Sequence, residues 1–153
     1  MKRRSFLSGS AALAGTPFLM TSKSHGANYG EFGDLKKRVA LIGSGWFGKI
    51  ALLRLIQVAP IEVVGLCDVD SRMLSAAAEV VARRQLNGNK PPTFKNYQEL
   101  LDKEKPDIVL IDTPDHWHAL PAIAAIESGA DLYLQKPVSV DIAEGQSIFD
   151  AAR

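Results

Sequence analysis

A single cysteine, Cys67, is all the thiol chemistry in these 153 residues. No disulfide within the chain can hold the fold, so packing must do so. Cys67 lies in the apolar run Val63-Val64-Gly65-Leu66-Cys67, the setting of a small buried hydrophobe rather than a reactive thiol. An excess of one charge is equally lacking. Eighteen Lys and Arg against 17 Asp and Glu leave +1, which builds neither a nucleic-acid groove nor a polybasic membrane patch. No apolar run reaches the ~20 residues that span a bilayer, so stable membrane insertion is not expected. Repeats and low-complexity tracts are also missing. What remains, 46% apolar and 23% charged, suits an ordinary globular domain, and the length allows one.

The N-terminus stands apart. Lys2-Arg3-Arg4 precedes a mildly apolar stretch over residues 6–20, diluted by Ser8, Gly9, Ser10 and Gly15. Too short for an anchor, it reads as an export signal over residues 1–27, followed by a polar linker over 28–36. Arg3-Arg4-Ser5-Phe6-Leu7 resembles the twin-arginine motif, which implies a periplasmic or exported protein. Lys2 and Ser8 depart from the usual flanks of that motif.

From residue 37 short apolar runs alternate with helix-period segments, the signature of a doubly wound parallel sheet covered by helices. Residues 39–42, 61–67, 93–94, 108–111 and 132–134 read as strands. Helices are expected over 47–58, from Asp70 or Ser71 to about Leu86, and from an Asn96 cap to about Lys103. Residues 120–126 are apolar nearly all round, predicting a well-covered helix. Asp141 and Glu144 have capping-box spacing for a last helix still running at Arg153. A chain that stops within a helical pattern reads as the front portion of a longer protein, with the domain at 37–153 cut short.

Gly43-Ser44-Gly45-Trp46-Phe47-Gly48 fits G-x-G-x-x-G between a predicted strand and a predicted helix. Gly43 supplies the tight turn, Gly45 leaves room for a pyrophosphate, and Gly48 lets helix and strand approach. The free N–H groups at the helix start then face the phosphates. Asp68 ends the second strand about 20 positions after Gly48, where a carboxylate accepts from the adenosine ribose. A carboxylate ~4 Å from a 2′-phosphate would cost about 4 kcal/mol at an effective dielectric near 20, so the expected cofactor is NAD rather than NADP. Arg72 is the residue that could counter this by reaching a phosphate.

Two further segments sit at strand ends. Thr113-Pro114-Asp115-His116-Trp117-His118 resembles a T-P-N-x-x-H segment, and Gln135-Lys136-Pro137 resembles E-K-P. With the glycine loop, they resemble the glucose-fructose oxidoreductase / inositol dehydrogenase (Gfo/Idh/MocA) family over residues 38–153. The resemblance implies a second α/β domain that supplies the substrate pocket and a catalytic Asp and His. That domain is absent from this sequence, and oligomer contacts would run largely through it. The resemblance also implies that Lys136 lies near the nicotinamide and substrate hydroxyl as the catalytic residue here. Pro137 would shape the turn beside it, often through a cis bond, and Thr113, Pro114 and His118 would line the cofactor or pocket. Gln135 in place of Glu and Asp115 in place of Asn are departures. Two imidazoles, His116 and His118, without a Cys or Glu cluster do not make a metal site.

These readings point to the cofactor-binding portion of an NAD-dependent oxidoreductase acting on a sugar or cyclitol. An exported enzyme has no recyclable NAD pool, so a tightly held, internally recycled nucleotide is expected. The alternatives are an NAD-dependent glycoside hydrolase on the same scaffold and a non-catalytic nucleotide-binding protein.

Overall fold

The computed structural model describes residues 36–153. The expected export signal and nearly all of the linker lie outside the described residues. The elements, in order, are β1 (Lys37–Ile42), α1 (Trp46–Val58), β2 (Ile61–Cys67), α2 (Ser71–Ala82), β3 (Thr93–Phe94), α3 (Tyr97–Glu104), β4 (Ile108–Ile111), a 3-10 turn (Asp115–Trp117), α4 (Ala119–Glu127), β5 (Asp131–Leu134) and α5 (Ile142–Ala151). The five strands are all parallel, in the order β3-β2-β1-β4-β5. Chain order reverses direction between β1 and β4, which makes their carboxyl ends the crevice where open α/β sheets bind ligands.

The continuous apolar runs of the strands follow from burial on both faces. Val39, Leu41, Val63, Leu66 and Leu110 pack under α1 and α2 with Leu52, Leu74, Ala77 and Val81. Ala40, Ile42, Cys67, Val109 and Ile111 face the other way, under α3, α4 and α5, with Leu100, Leu101, Ala122, Ala125 and Ile148. An irregularity interrupts the β1–β2 ladder, where Val39 pairs with Val63 but Ala40 with Gly65. The Val63 N–H donates instead to Gln85 Oε1 at 3.1 Å.

That contact corrects one expectation. Helix α2 ends at Ala82, four residues before Leu86, and the N–H groups of Arg84 and Gln85 both turn onto the Val81 carbonyl. The buried Gln85 side chain is spent on Val63 and on the Asn89 carbonyl. A local pattern holds no record of such a partner. Helix α4 is also less covered than its composition implies: Ala119, Pro121, Ala122 and Ala125 are buried, while Leu120 is exposed. Helix α5 ends at Ala151 rather than running on through Arg153. Asn96 and Asp141 cap α3 and α5 as expected. Their Glu partners close no reciprocal box, since Glu99 pairs with Lys103 and Glu144 accepts from Val140. No helix among the described residues is long and apolar enough to cross a membrane.

Candidate functional site

The carboxyl ends of β1, β2, β4 and β5 bring the glycine loop, Asp68 and both later motifs to one edge of the sheet. Gly43 has φ +96, and its N–H donates to the Cys67 carbonyl at 2.8 Å. A Cβ on Gly43 would lie 2.5 Å from the Asp112 carbonyl carbon and 2.6 Å from the Thr113 nitrogen. A Cβ on Gly48 would run into the Gly43 carbonyl oxygen. Both glycines therefore serve the backbone crossing between loop, helix and β4. Gly45 differs: a Cβ there meets nothing within 4 Å. Its α position opens onto free space at the start of α1, whose N-terminus has no side-chain cap and no acidic residue in its first turn. Bare N–H groups at a helix start beside open space suit a pyrophosphate, so the residues present fit a dinucleotide.

Asp68 is fixed by two backbone amides, with Ser44 N–H donating to Oδ2 at 2.8 Å and Asp70 N–H to Oδ1 at 2.9 Å. A partly buried carboxylate held in this way at the end of β2 keeps lone pairs for ribose hydroxyls. Asp68 also shares in pushing the Cys67 thiol up to about 12, though burial is the larger cause. Cys67 is thus a buried thiol without nucleophilic character.

Several expected site residues turn out to support the site rather than face it. Ser44 is fully buried; its N–H goes to Asp68 and its hydroxyl to the Cys67 carbonyl at 3.3 Å. Trp46 and Phe47 form an edge-on pair with 6.2 Å between centroids, and Trp46 is 74% exposed. Arg72 does not reach over the crevice. Its guanidinium forks onto Asp70, with Nε at 3.2 Å and an Nη at 2.9 Å, and this pairing draws the Asp70 carboxyl down to about 2.

At the end of β4 the Thr113 hydroxyl donates to the Trp117 carbonyl, and Pro114 starts the 3-10 turn. His118, expected to line the pocket, is fully buried. Its Nδ1 lies 2.6 Å from the Pro137 carbonyl oxygen and its Nε2 3.0 Å from that of Thr113. Its ring is spent on holding two loops together, which removes it from direct contact with a ligand. Lys136 is exposed at the end of β5, and its peptide bond to Pro137 is cis. The Lys136 N–H donates to Gln135 Oε1 at 2.7 Å, and the ammonium makes no ion pair among the described residues.

Asp112 is the residue that sequence reasoning passes over. Both of its carboxylate oxygens are buried without a hydrogen-bond partner among the described residues. Burial pushes its carboxyl up, opposed by the Gln135 carboxamide and by His118; Gln135 is a neighbour outside good hydrogen-bond geometry. A carboxylate directly after the apolar run Ile108–Ile111 is the signal that could have marked it. No group of three His, Cys, Asp or Glu among the described residues could hold a metal ion.

Comparison with known proteins fits this geometry. Residues 37–153 match the Gfo/Idh/MocA profile, described as an oxidoreductase family with an NAD-binding Rossmann fold. The chain is 34% identical over 135 residues to a glycosyl hydrolase family 109 protein of Stenotrophomonas maltophilia, covering 84% of this chain and 28% of that one. Among solved structures it resembles the WlbA dehydrogenase of Chromobacterium violaceum in complex with NADH and UDP-GlcNAcA, with TM-score 0.69 and 26% identity over 78% of this chain and 33% of that one. The myo-inositol dehydrogenase of Lactobacillus casei, in complex with NAD(H) and myo-inositol, has the same fold at TM-score 0.68 and 21% identity, covering 76% of this chain and 33% of that one. The chain thus spans about a third or less of these relatives. The chain belongs to the Gfo/Idh/MocA oxidoreductase family, and residues 37–153 are its NAD-binding Rossmann domain.

Proposed function

We propose that this chain is the cofactor-holding part of an enzyme that transfers hydride between bound NAD and a carbon bearing a sugar or cyclitol hydroxyl. The open space at Gly45, before an uncapped helix start and beside the fixed Asp68, carries the reading. Held there, NAD would supply hydride-transfer chemistry for the carbinol carbon. The amides of the loop hold the pyrophosphate, and Asp68 accepts from the adenosine ribose and disfavours a 2′-phosphate. Arg72, occupied by Asp70, offers that phosphate no compensation. The exposed Lys136 ammonium orients the substrate hydroxyl and lowers the cost of removing its proton, while the main acid–base pair comes from a second domain.

The Arg3-Arg4 segment supports export of the folded protein by the twin-arginine route. In an envelope compartment the nucleotide must be retained and reoxidised on the enzyme, so the net chemistry is redox-neutral. The second domain would supply the substrate pocket and the contacts for a homo-oligomer.

A hydrolytic outcome is the second reading, favoured by the family 109 name of the Stenotrophomonas maltophilia relative. There a ring hydroxyl is oxidised transiently, the glycoside is eliminated, water adds, and the ring is reduced again, so NAD is regenerated.

The test begins with the native exported protein, from which heat-released nucleotide is identified by mass spectrometry. Bound NAD near one per chain is expected, and an empty protein that turns over only with added NAD refutes retention. Incubation with aryl glycosides then separates the two readings. Aglycone release without accumulating NADH marks hydrolysis, and interconversion of free sugars marks oxidoreduction.

A further inference from the structure

The buried end of β4 carries chemistry that the cofactor reading leaves unused. Both ring nitrogens of His118 face carbonyl oxygens, at 2.6 and 3.0 Å. A carbonyl oxygen only accepts, so each nitrogen must bring a hydrogen, whereas a neutral imidazole carries one. Turning the ring over does not help. It would set ring carbons against the same oxygens at distances far below the roughly 3.3–3.6 Å of C–H···O contacts. The ring satisfies both contacts only as an imidazolium.

A positive charge on a side chain with no solvent exposure needs a counter-charge. Asp112 provides one. It directly follows β4, six residues before His118, and its two oxygens are buried without a hydrogen-bond partner among the described residues. The opposite assignment, a neutral acid beside a neutral imidazole, still leaves one ring lone pair against a carbonyl lone pair, even where the Gln135 carboxamide takes the acid's proton. Other ionisable groups on the two loops, Asp115, His116 and Lys136, are exposed and available to water.

We propose that His118 is held as a buried imidazolium counter-charged by Asp112, and that this pair positions the Lys136 segment relative to the glycine loop. The ring hangs the Pro137 carbonyl, next to Lys136, from the Thr113 carbonyl at the end of β4. Asp112 is itself pinned under the glycine loop, where its N–H donates to the Ile42 carbonyl at 2.9 Å and its backbone closes against Gly43. Two residues thus fasten the ends of β1, β4 and β5 into one frame. Both are positioning residues, because neither faces the open crevice. Only the importance of Lys136 rests on the function proposed above; the charge state does not.

Long-range proton–nitrogen correlation on the isotope-labelled full chain reads the charge state directly. Exposed His116 is the internal reference, under conditions where its ring shows one protonated and one bare nitrogen. His118 is expected to show two protonated nitrogens of similar shift in the same spectrum, and a bare nitrogen overturns the proposal. The side-chain carboxyl carbon of Asp112 should read as a carboxylate, and a carboxylic acid signature overturns the pairing. In Asp112→Asn, His118 should revert to a neutral ring, and amide exchange at Lys136 should quicken by at least about tenfold while that of Leu110 holds. An unchanged ring and unchanged exchange overturn the positioning role. If that variant does not fold, the two wild-type signatures decide alone. No reading uses NAD or turnover, so failure here is separate from failure of the proposed function.

Discussion

Three glycines in one loop should respond in opposite ways to the same added methyl group. At Gly45 the backbone, φ −64 and ψ −167, is open to any residue, and the Cβ meets nothing within 4 Å. Gly45→Ala therefore restricts only the unfolded chain, a gain of about 0.4–1 kcal/mol. For a domain of this size that raises Tm by about 1–4 °C. The same methyl stands where the pyrophosphate must approach the helix start. Losing two amide-to-phosphate hydrogen bonds at ~1.5 kcal/mol each removes about 3 kcal/mol, or more than about 100-fold in affinity. Gly45→Val should do the same with a wider margin. At Gly48 the Cβ collides with the Gly43 carbonyl oxygen, and at Gly43 it collides with the Asp112–Thr113 peptide at positive φ. Alanine at either position should lower Tm whether or not nucleotide is present. Calorimetric melting with and without NAD, paired with titration calorimetry, separates the two behaviours. A Gly45→Ala chain that is as stable as the parent and binds NAD equally well would refute the assignment of the phosphate seat.

The remaining expectations concern charge, thiol chemistry and completeness. Titration calorimetry should find NAD at least several-fold tighter than NADP. Asp68→Asn, which removes the charge but keeps an oxygen for only one of the Ser44 and Asp70 amides, should narrow or close that gap; equal affinities in the parent would count against Asp68. Cys67 should resist thiol reagents in the native chain and react once denatured, and rapid labelling of folded protein would contradict its burial. Its thiol is held near 12 against about 9 when unfolded, so that contribution to stability is complete below pH 9 and is lost as pH rises towards 12. Denaturant midpoints measured across that window test the sign. The chain of 153 residues should gain thermal stability from NAD by mass action yet oxidise no sugar, and Lys136-dependent turnover would mean that the site is complete without a second domain.

β1, β2 and β4 are readable because each is a short apolar run buried largely on both faces, and the glycine loop because its spacing maps onto one turn. The parallel, helix-covered sheet follows from alternating strand and helix signals. What escaped was tertiary in origin. Nothing near Gln85 says that its carboxamide will plug an irregularity in β2, so the helical pattern runs past the actual end of α2. The motif places His118 at the pocket, but its two carbonyl partners lie 5 and 19 residues away along the chain. Ser44 and Arg72 were drawn towards the cofactor by proximity in sequence, yet each is taken by a nearer acceptor. Asp112 went unnoticed because a polar residue closing a strand is ordinary, and only its unpartnered oxygens make it otherwise.

The chain's two tryptophans, Trp46 and Trp117, both stand at the carboxyl end of the sheet, one opening α1 and the other in the turn after β4. Both indoles are largely open to water, at 74% and 49% exposure. All tryptophan emission therefore originates at the nucleotide end of the domain. Any group that docks against that end and excludes water from the indoles should shift or quench the signal, whereas events at the opposite end of the strands should leave it silent. The protein carries a built-in optical gauge of occupancy at one face, needing no label and no substitution.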